Sequence, residues 1–502
     1  MRSFRLALAL TLVGISACSL LLDTDALQKG TGGAAGGSGG TAGVGGTAGA
    51  GGDVDAGGDS GTKSCDSDLD CQPVEAVDGC IRYQCGTDKV CMPPTTWSGL
   101  GIASVSSTPE IADTAEDIGY PSMIADGTDI VLAFWRRSGT TTNVYIRMYD
   151  ENPNISATKG DINAISANRF ESISSSPGMI MRNLPRRIRL LGAVKPTGAT
   201  ATGMYQMDVD VAMLRVSAQQ PTRADLGVTG YDTDPHAYPP RLLPGGLAEP
   251  FGMWMQQGKL YYLDNNGAAE VYSAKRVIGF APIAANAGVH AALETTDLGS
   301  TTDQGQTELW TRNSNVLTSL IGDVPGARRR GVATTATAEG TLPINFILWS
   351  FERAGTPTLF YAASSCDGTQ CTAAGAPMDG TNAAAVAPGA SSARVMNTMN
   401  DRDLATIFQV TAPDKTRPTV MNTAILGGIG RLTTTQDGGP GLAATPTNPT
   451  NFFVTLTNAP PANIGPSSVV MTTGGTMMVA WVERGPAMAQ LKTRRFQIKT
   501  CP

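Results

Sequence analysis

Short hydrophobic runs bounded by glycine or proline recur along most of the chain. The clearest example lies in residues 466–498, where two apolar runs flank a Gly-Gly-Thr turn and an alternating run follows Gly485-Pro486. Runs of strand length with such breaks between them predict an antiparallel β-meander. From Trp97 onward no long stretch follows the 3.6-residue period of a helix, so we predict an all-β fold.

The same layout recurs near the other end of the chain, in residues 121–150. There the turn Gly127-Thr128 corresponds to Gly475-Thr476, and the run Leu132-Ala133-Phe134 corresponds to Val479-Ala480-Trp481. Weaker copies share a large residue at the corresponding position, and their markers are Leu191, Trp254, Trp310, Trp349 and Phe408. Repeats of this kind over residues 96–502 predict a β-propeller of about seven blades, each a four-stranded sheet. A stack of two β-sandwiches is the alternative architecture.

Residues 1–17 are predicted to be a signal peptide, because Arg2 and Arg5 precede a short apolar run. The run is followed by Ile15-Ser16-Ala17-Cys18, which resembles the lipobox of bacterial lipoproteins: an aliphatic residue, two small residues and the cysteine that receives the lipid. The resemblance implies lipidation at Cys18 and, because Ser19 follows, sorting to the outer membrane. An uncleaved signal-anchor helix over residues 6–22 is the alternative.

Residues 18–62 are predicted to be a lipid anchor followed by a disordered linker. Residues 30–62 contain 16 glycines, and alanine, threonine and serine fill most of the remaining positions. No apolar face can form in such a segment, so it should act as a flexible tether. A Gly-rich chain of this length has a root-mean-square reach of about 30 Å, enough to clear a lipid headgroup layer.

A cluster of cysteines in residues 63–95 predicts a small module held by disulfides. An exported chain meets an oxidising compartment, where closely spaced cysteines staple pieces too small to bury a core. Zinc binding is the alternative, but no pair of these cysteines has the two-residue spacing of a zinc knuckle. We predict neither a metal site nor a cofactor. The cluster members are Cys65, Cys71, Cys80, Cys85 and Cys91.

Counting cysteines suggests how they pair. Of nine cysteines, Cys18 is assigned to lipid, and Cys366 and Cys371 enclose only four residues, which predicts a local bond across a turn. The five cluster cysteines cannot all pair with one another, so one of them should bond to Cys501. We choose Cys91, the cluster member nearest the first predicted strand of the propeller. In a closed ring the first and last blades are neighbours, so such a bond would lock the ring.

Composition limits the possible functions. The 37 lysines and arginines are outnumbered by 43 acidic residues, so the chain lacks the basic surface that nucleic acid requires. Because of this charge balance, we expect no nucleic-acid partner. The two histidines, His236 and His290, are too few for a histidine-based metal centre or proton relay.

No catalytic site can be assigned from the sequence. It contains no Gly-x-Ser-x-Gly elbow, phosphate-binding loop or His-Glu-x-x-His motif. Residues 301–305 begin like the Asp-box of sialidases, but Trp310 comes too late to complete it. Two arginine clusters, Arg186-Arg187-Arg189 and Arg328-Arg329-Arg330, could bind a carboxylated sugar, but we expect them to be solvated residues of turns or sheet edges.

Taken in order, the lipobox, the tether, the cysteine module and the degenerate repeats resemble the surface lipoproteins that are common in myxobacteria. The resemblance covers the layout of the whole chain and implies an outward-facing outer-membrane protein of a family with no established activity. We therefore predict a lipid-anchored binding or scaffolding protein with a protein or glycan ligand. The alternatives are a sialidase-like glycan-cleaving enzyme and a purely structural envelope component.

Overall fold

A computed structural model describes residues of one compact unit of the chain, Gly61–Pro502. The described residues are 63–65, 71, 80–96, 98–105, 109–126, 129–149 and, from there to Pro502, the strands given below with a few adjoining turn residues. The predicted signal peptide, Cys18 and the tether lie outside these residues. In the described part of the chain, no helix has the length and apolar character needed to cross a membrane.

Every element that the structure describes is a β-strand, which confirms the all-β prediction. Four strands precede the main body of the fold: β1 (Ile81–Arg82), β2 (Thr95–Thr96), β3 (Gly99–Ser104) and β4 (Glu110–Ala115). Sheet 1 contains β5 (Asp117–Ile118), β6 (Ser122–Asp126), β7 (Asp129–Ser138), β8 (Thr141–Tyr149) and β9 (Thr158–Ile165). Sheet 2 contains β10 (Phe170–Ile173), β11 (Gly178–Met181), β12 (Arg187–Pro196), β13 (Gly203–Asp210) and β14 (Arg215–Val216).

The remaining strands continue the same pattern of consecutive antiparallel pairs. Sheet 3 contains β15 (Arg241–Leu243), β16 (Phe251–Gln256), β17 (Lys259–Asp264) and β18 (Gly267–Tyr272). Sheet 4 contains β19 (Arg276–Ala285), β20 (Gly288–Thr296), β21 (Gln306–Thr311) and β22 (Val316–Ser319). Sheet 5 contains β23 (Ala327–Ala336), β24 (Asn345–Arg353) and β25 (Ser364–Cys366).

Two further sheets complete the described fold. Sheet 6 contains β26 (Ser392–Met399), β27 (Asp403–Pro413), β28 (Met421–Thr434), β29 (Pro440–Ala443) and β30 (Val454–Ala459). Sheet 7 contains β31 (Ile464–Met471), β32 (Thr476–Arg484) and β33 (Ala489–Cys501), together with β3 and β4 from the start of the described chain. The structure thus describes seven sheets of three to five strands, besides the separate β1–β2 pair.

One edge strand of each sheet contacts the corresponding edge strand of the next sheet. These strands, called the inner strands below, are β6, β11, β15, β19, β23, β26 and β31. The contacts follow chain order from β6 to β31, and β31 in turn contacts β6. The first and last sheets are therefore neighbours.

The two ends of the described chain share one sheet. Strand β3 pairs with the second half of β33, from Gly99 opposite Cys501 to Ser104 opposite Phe496. Strand β4 pairs with the first half of β33, so β33 has a partner along both of its edges. A strand paired on both sides presents no open edge to other chains.

Sheets 1 and 7 are joined by a common core. Side chains of β6, β7 and β8 pack with those of β31, β32 and β33 in one buried cluster, in which Phe134, Ile130 and Val482 are fully buried. The hydroxyl of the buried Tyr120, just before β6, donates a hydrogen bond to the carbonyl of Ser467 in β31 at 2.9 Å. Hydrophobic burial and a satisfied polar pair thus act at the same junction.

The marker residues of the repeats mostly occupy one position in the sheets. Phe134, Leu191, Trp254 and Trp481 each lie on the strand next to the inner strand of their sheet, the second strand counted from the inner edge. All four are buried, as expected for packing between sheets. Trp310 does not fit, because it lies on β21, the third strand of sheet 4. The second strand of that sheet is β20, whose sequence has no large aromatic residue to mark it. The assignment of Trp310 as a copy marker was therefore wrong.

The junction of sheets 1 and 7 generates a stability prediction. Tyr120→Phe should remove the hydrogen bond that the Tyr120 hydroxyl donates to the Ser467 carbonyl and lower the free energy of unfolding by about 0.5–1.5 kcal/mol. Tyr261→Phe is the control, because it keeps the stacking of Tyr261 on Trp254 at a centroid distance of 5.7 Å. Guanidinium unfolding of both variants checks the difference, and equal stabilities would contradict it.

Candidate functional site

Three disulfides hold the segment around the cysteine cluster. Cys65 bonds to Cys85 and Cys71 bonds to Cys91, each pair 20 residues apart, and Cys80 bonds to Cys501 across 421 residues. The choice of Cys91 as the partner of Cys501 was therefore wrong. Chain position was a poor guide, because the backbone turns back on itself between Cys85 and Cys91. The main chains of these two residues pair in an isolated antiparallel β-bridge.

The structure describes one cysteine of the predicted Cys366–Cys371 pair. Cys366 ends strand β25, and its predicted partner Cys371 lies outside the described residues. The sulfurs of Cys65, Cys71 and Cys91 lie within 4.8 Å of one another, a spacing that could suit a metal. All three are oxidised in disulfides, so none supplies the thiolate that zinc requires.

Ion pairs connect sheets 1 and 7 beside their common core. Asp113 of β4 lies 3.4 Å from Arg136 of β7 and 3.8 Å from Arg147 of β8. Asp117 of β5 is shared between Arg137 and Arg484, each at 3.7 Å. Asp113 therefore joins β4 of sheet 7 to sheet 1, and the Asp117–Arg484 pair joins the two chain ends. The oxygens of both carboxylates already face cations.

Aromatic rings support the same arginines. Phe134 and Tyr145 stack with their ring centroids 5.8 Å apart. The guanidinium of Arg147 lies 5.7 Å from the centroid of Phe134, and that of Arg136 lies 5.4 Å from the centroid of Tyr145. Stacking on an aromatic face holds a guanidinium in place and favours its pairing with a carboxylate. The group is suited to holding sheets together.

Two other carboxylates are also occupied. Glu308 of β21 is buried, with Lys275 Nζ at 2.6 Å from one oxygen and the hydroxyl of Thr295 donating to the other at 2.5 Å. Glu483 of β32 accepts from the indole of Trp481 at 2.8 Å and from Lys492 at 2.7 Å. A glycosidase needs two carboxylates that face one substrate. Neither group is arranged for that role.

The inner strands have an unusual charge balance. Along the residues that the structure assigns to them, the sole acidic residue is Asp126, at the end of β6. The same strands contain six arginines: Arg241, Arg276, Arg328, Arg329, Arg330 and Arg394. Apart from Asn397 on β26, the rest of each strand is apolar, small or hydroxylated. The described residues of the inner strands are therefore basic on balance, in a chain whose formal net charge is −6.

The two arginine clusters noted in the sequence occupy different places. Arg187 and Arg189 lie on β12, which is paired on both edges, and Arg189 is buried. The expectation of a turn or edge position was wrong for Arg189, which lies between β11 and β13. Arg328, Arg329 and Arg330 lie on β23, an inner edge strand. The sequence could not tell these positions apart, because both clusters begin strands of similar composition.

The histidines do not form a site among the described residues. His290 lies in β20, opposite Ile283 on one side and Thr311 on the other. His236 lies outside the part of the chain that the structure describes, as do residues 301–305 of the partial Asp-box.

The solved structures to which the chain is similar are distant from it in sequence and in shape. No protein-family model and no curated protein matches the chain. Among solved structures, an ulvan lyase of polysaccharide lyase family PL25 is 9% identical, with 76% of this chain and 93% of that chain covered and a TM-score of 0.39. The Dos1 propeller is 8% identical, with coverages of 78% and 96% and a TM-score of 0.37.

A third similar structure is the β-propeller domain of the trilobed protease from Pyrococcus furiosus. It is 8% identical to this chain, covers 74% of it and 92% of its own length, and has a TM-score of 0.33. Two of these three structures are propellers by name. Identities and TM-scores this low transfer no activity or ligand.

The long disulfide generates a prediction about stability. The Cys80→Ser/Cys501→Ser variant should lose up to about 5 kcal/mol of unfolding free energy, because the bond closes the longest loop of the three. The Cys65→Ser/Cys85→Ser variant removes a bond that closes a loop of 20 residues and should lose about 3 kcal/mol of unfolding free energy. Denaturant unfolding compares them, and a larger loss for the second variant would contradict the prediction.

Tyr149 generates a prediction about pH. Burial raises the pKa of this phenol to about 12, with Glu110 adding to the effect and Arg147 opposing it. Because the unfolded pKa is about 10, the neutral phenol stabilises the fold fully below pH 10. The contribution, about 2–3 kcal/mol, is lost as the pH rises from about 10 to 12. The Tm of Tyr149→Phe should fall less than that of the wild type between these pH values; parallel curves would contradict this.

Proposed function

We propose that the chain is a seven-bladed β-propeller, attached to the outer membrane through lipid on Cys18, that binds a ligand at the cell surface without converting it. Each of the seven sheets would be one blade, with its inner strand next to the central axis. The order of contacts among the inner strands and the shared sheet of the two chain ends support this architecture. Propellers use radial repetition to leave few exposed sheet edges.

The observation that carries the non-catalytic assignment is the scarcity of acidic residues on the inner strands. The alternative, a sialidase-like glycan-cleaving enzyme, would place several carboxylates around the axis. Among the residues that the structure assigns to the inner strands, Asp126 is the one acidic residue. The carboxylates of Asp113, Glu308 and Glu483 are paired with basic side chains elsewhere. Strands with one acidic residue and several arginines suit binding better than hydrolysis.

The proposed location depends on the first 62 residues. The lipobox would supply the anchor, and the Gly-rich tether would let the body of the protein stand clear of the lipid headgroups. The three disulfides are consistent with an oxidising compartment outside the cytoplasm. A protein or glycan ligand would then meet the propeller from the outside of the cell.

The anchor is tested by metabolic labelling with palmitate in cells that produce the full chain. The wild type should become labelled, and Cys18→Ser should not, because no other residue in the lipobox can accept the lipid. Ser19→Ala is the matched control and should keep the label. Labelling that persists in Cys18→Ser would exclude lipidation at this site.

Binding without turnover is tested with the full chain in detergent micelles. The protein is incubated with an array of glycans and with extracellular matrix from the producing cells, and both retention and newly released chain ends are measured. Retention without release of fragments supports the proposal. Release of oligosaccharides would establish the enzymatic alternative, and no retention at all would favour a purely structural envelope component.

A further inference from the structure

The arginines of the inner strands lie near the beginnings of those strands. Arg241 and Arg276 are the first residues of β15 and β19, Arg328–Arg330 follow the first residue of β23, and Arg394 is the third residue of β26. These four strands belong to four consecutive sheets, and each contacts the next. We call these six residues the arginine arc.

Strand register places the beginnings of β15 and β19 on one side of the sheets. Arg241 pairs with Met253, the third residue of β16, and Leu243 pairs with Phe251, its first residue, so the beginning of β15 lies on the side where β16 ends. The turn after β16 contains Gly258, whose carbonyl accepts a 2.7 Å hydrogen bond from the amide of Val277 in β19. The beginnings of both inner strands therefore face the turn between β16 and β17.

The remaining sheets follow the same rule in the proposed propeller. Radially repeated sheets all direct their inner strands the same way along the axis. The junction of sheets 7 and 1 agrees, because Tyr120, just before β6, bonds to Ser467 in the first half of β31. The arginine arc thus lies on one side of the ring across sheets 3 to 6. Asp126, at the end of its strand, lies on the opposite side.

The structure keeps one member of the arc at the surface. The side chain of Arg276 is exposed and extends over Gly258, which has a φ of 74°. A Cβ on Gly258 would approach the Cγ of Arg276 to 2.9 Å, so only glycine leaves this position clear. The turn and the arginine therefore fit together closely at the rim of the sheets.

We infer that the arginine arc binds an acidic polysaccharide through its carboxylates, an inference that rests on the proposed function and names its ligand. Guanidinium groups bind carboxylates through paired hydrogen bonds, and several on neighbouring strands can hold successive charges of one polymer. A polymer gains from each added contact because the later contacts are intramolecular.

The overall charge favours a polysaccharide over nucleic acid. The chain has a formal net charge of −6, so the six arginines of the arc are a local excess of positive charge in an acidic protein. Nucleic acid carries one charge on every phosphate and needs a continuous basic surface along its backbone. An acidic polysaccharide with carboxylates at intervals along a largely neutral chain meets less repulsion from the rest of the protein.

The test compares two variants that remove three positive charges each. Arg241→Gln/Arg276→Gln/Arg394→Gln changes the arc at residues whose cross-strand neighbours, Met253, Thr296 and Gln409, are uncharged. Lys63→Gln/Lys89→Gln/Lys499→Gln changes exposed lysines outside the inner strands and is the matched control. Both proteins are full chains in detergent micelles, with Tm measured to establish that they are folded.

Binding is measured on immobilised carboxymethyl dextran, unmodified dextran and a single-stranded DNA oligonucleotide. We expect the wild type and the lysine variant to bind carboxymethyl dextran and to be released by salt, because the contacts are ionic. The arginine variant should bind it at least about tenfold more weakly. Unmodified dextran and DNA should bind far more weakly than carboxymethyl dextran. If the arginine triple variant does not fold, Arg276→Gln alone should show a smaller loss in the same direction.

Three results would overturn the inference: unchanged binding by a folded arginine variant, an equal loss in the lysine variant, or DNA bound as tightly as carboxymethyl dextran. Salt-insensitive binding of unmodified dextran would also overturn it, while leaving the proposed binding function intact. Cleavage of the polymer, seen as released fragments, would instead contradict the proposed function. The failures of the two proposals are therefore distinguishable.

Discussion

Strand β33 pairs with β32 on one edge and with β3 and β4 on the other, so residues almost 400 positions apart share one ladder. A pairing between chain ends costs more loop-closure entropy than a local hairpin, and other interactions must offset that cost. They are concentrated at this junction: the common core of sheets 1 and 7, the Tyr120–Ser467 hydrogen bond, the Asp113 and Asp117 ion pairs, and the Cys80–Cys501 bond.

This arrangement separates what holds the fold from what is available for a ligand. Asp113, Asp117, Glu308 and Glu483 form ion pairs between strands, each with an arginine or a lysine. The arginines of the inner strands lie on sheets 3 to 6, away from the junction of the chain ends. A binding surface on these sheets can change in sequence without weakening the closure of the fold.

Much of the strand layout could be predicted because it depends on local chemistry. The runs around Trp481 and Phe134 alternate with turn residues, and Gly475, with a φ of 84°, occupies the predicted turn between β31 and β32. Trp310 was misassigned because local pattern does not reveal whether a strand is second or third in its sheet. The partner of Cys501 was missed for a similar reason, since pairing depends on how the backbone folds within the cysteine module.

The arginine arc illustrates the same limit for the candidate site. Arg241, Arg276 and Arg394 are isolated in the sequence, and only the order of strands in space shows that they begin the inner strands of different sheets. The cluster Arg328–Arg330 was visible in the sequence, but its position on an inner strand was not. Long-range strand order is determined by packing between sheets, which leaves no signal in a short window of sequence.

Native-state amide hydrogen exchange of β3 and β4 measures the pairing of the chain ends directly. The account predicts that the amides of these strands that pair with β33 are protected to the same extent as those of β32, because all belong to one cooperative sheet. Exchange in β3 and β4 that is orders of magnitude faster than in β32, as in a frayed terminus, would contradict it.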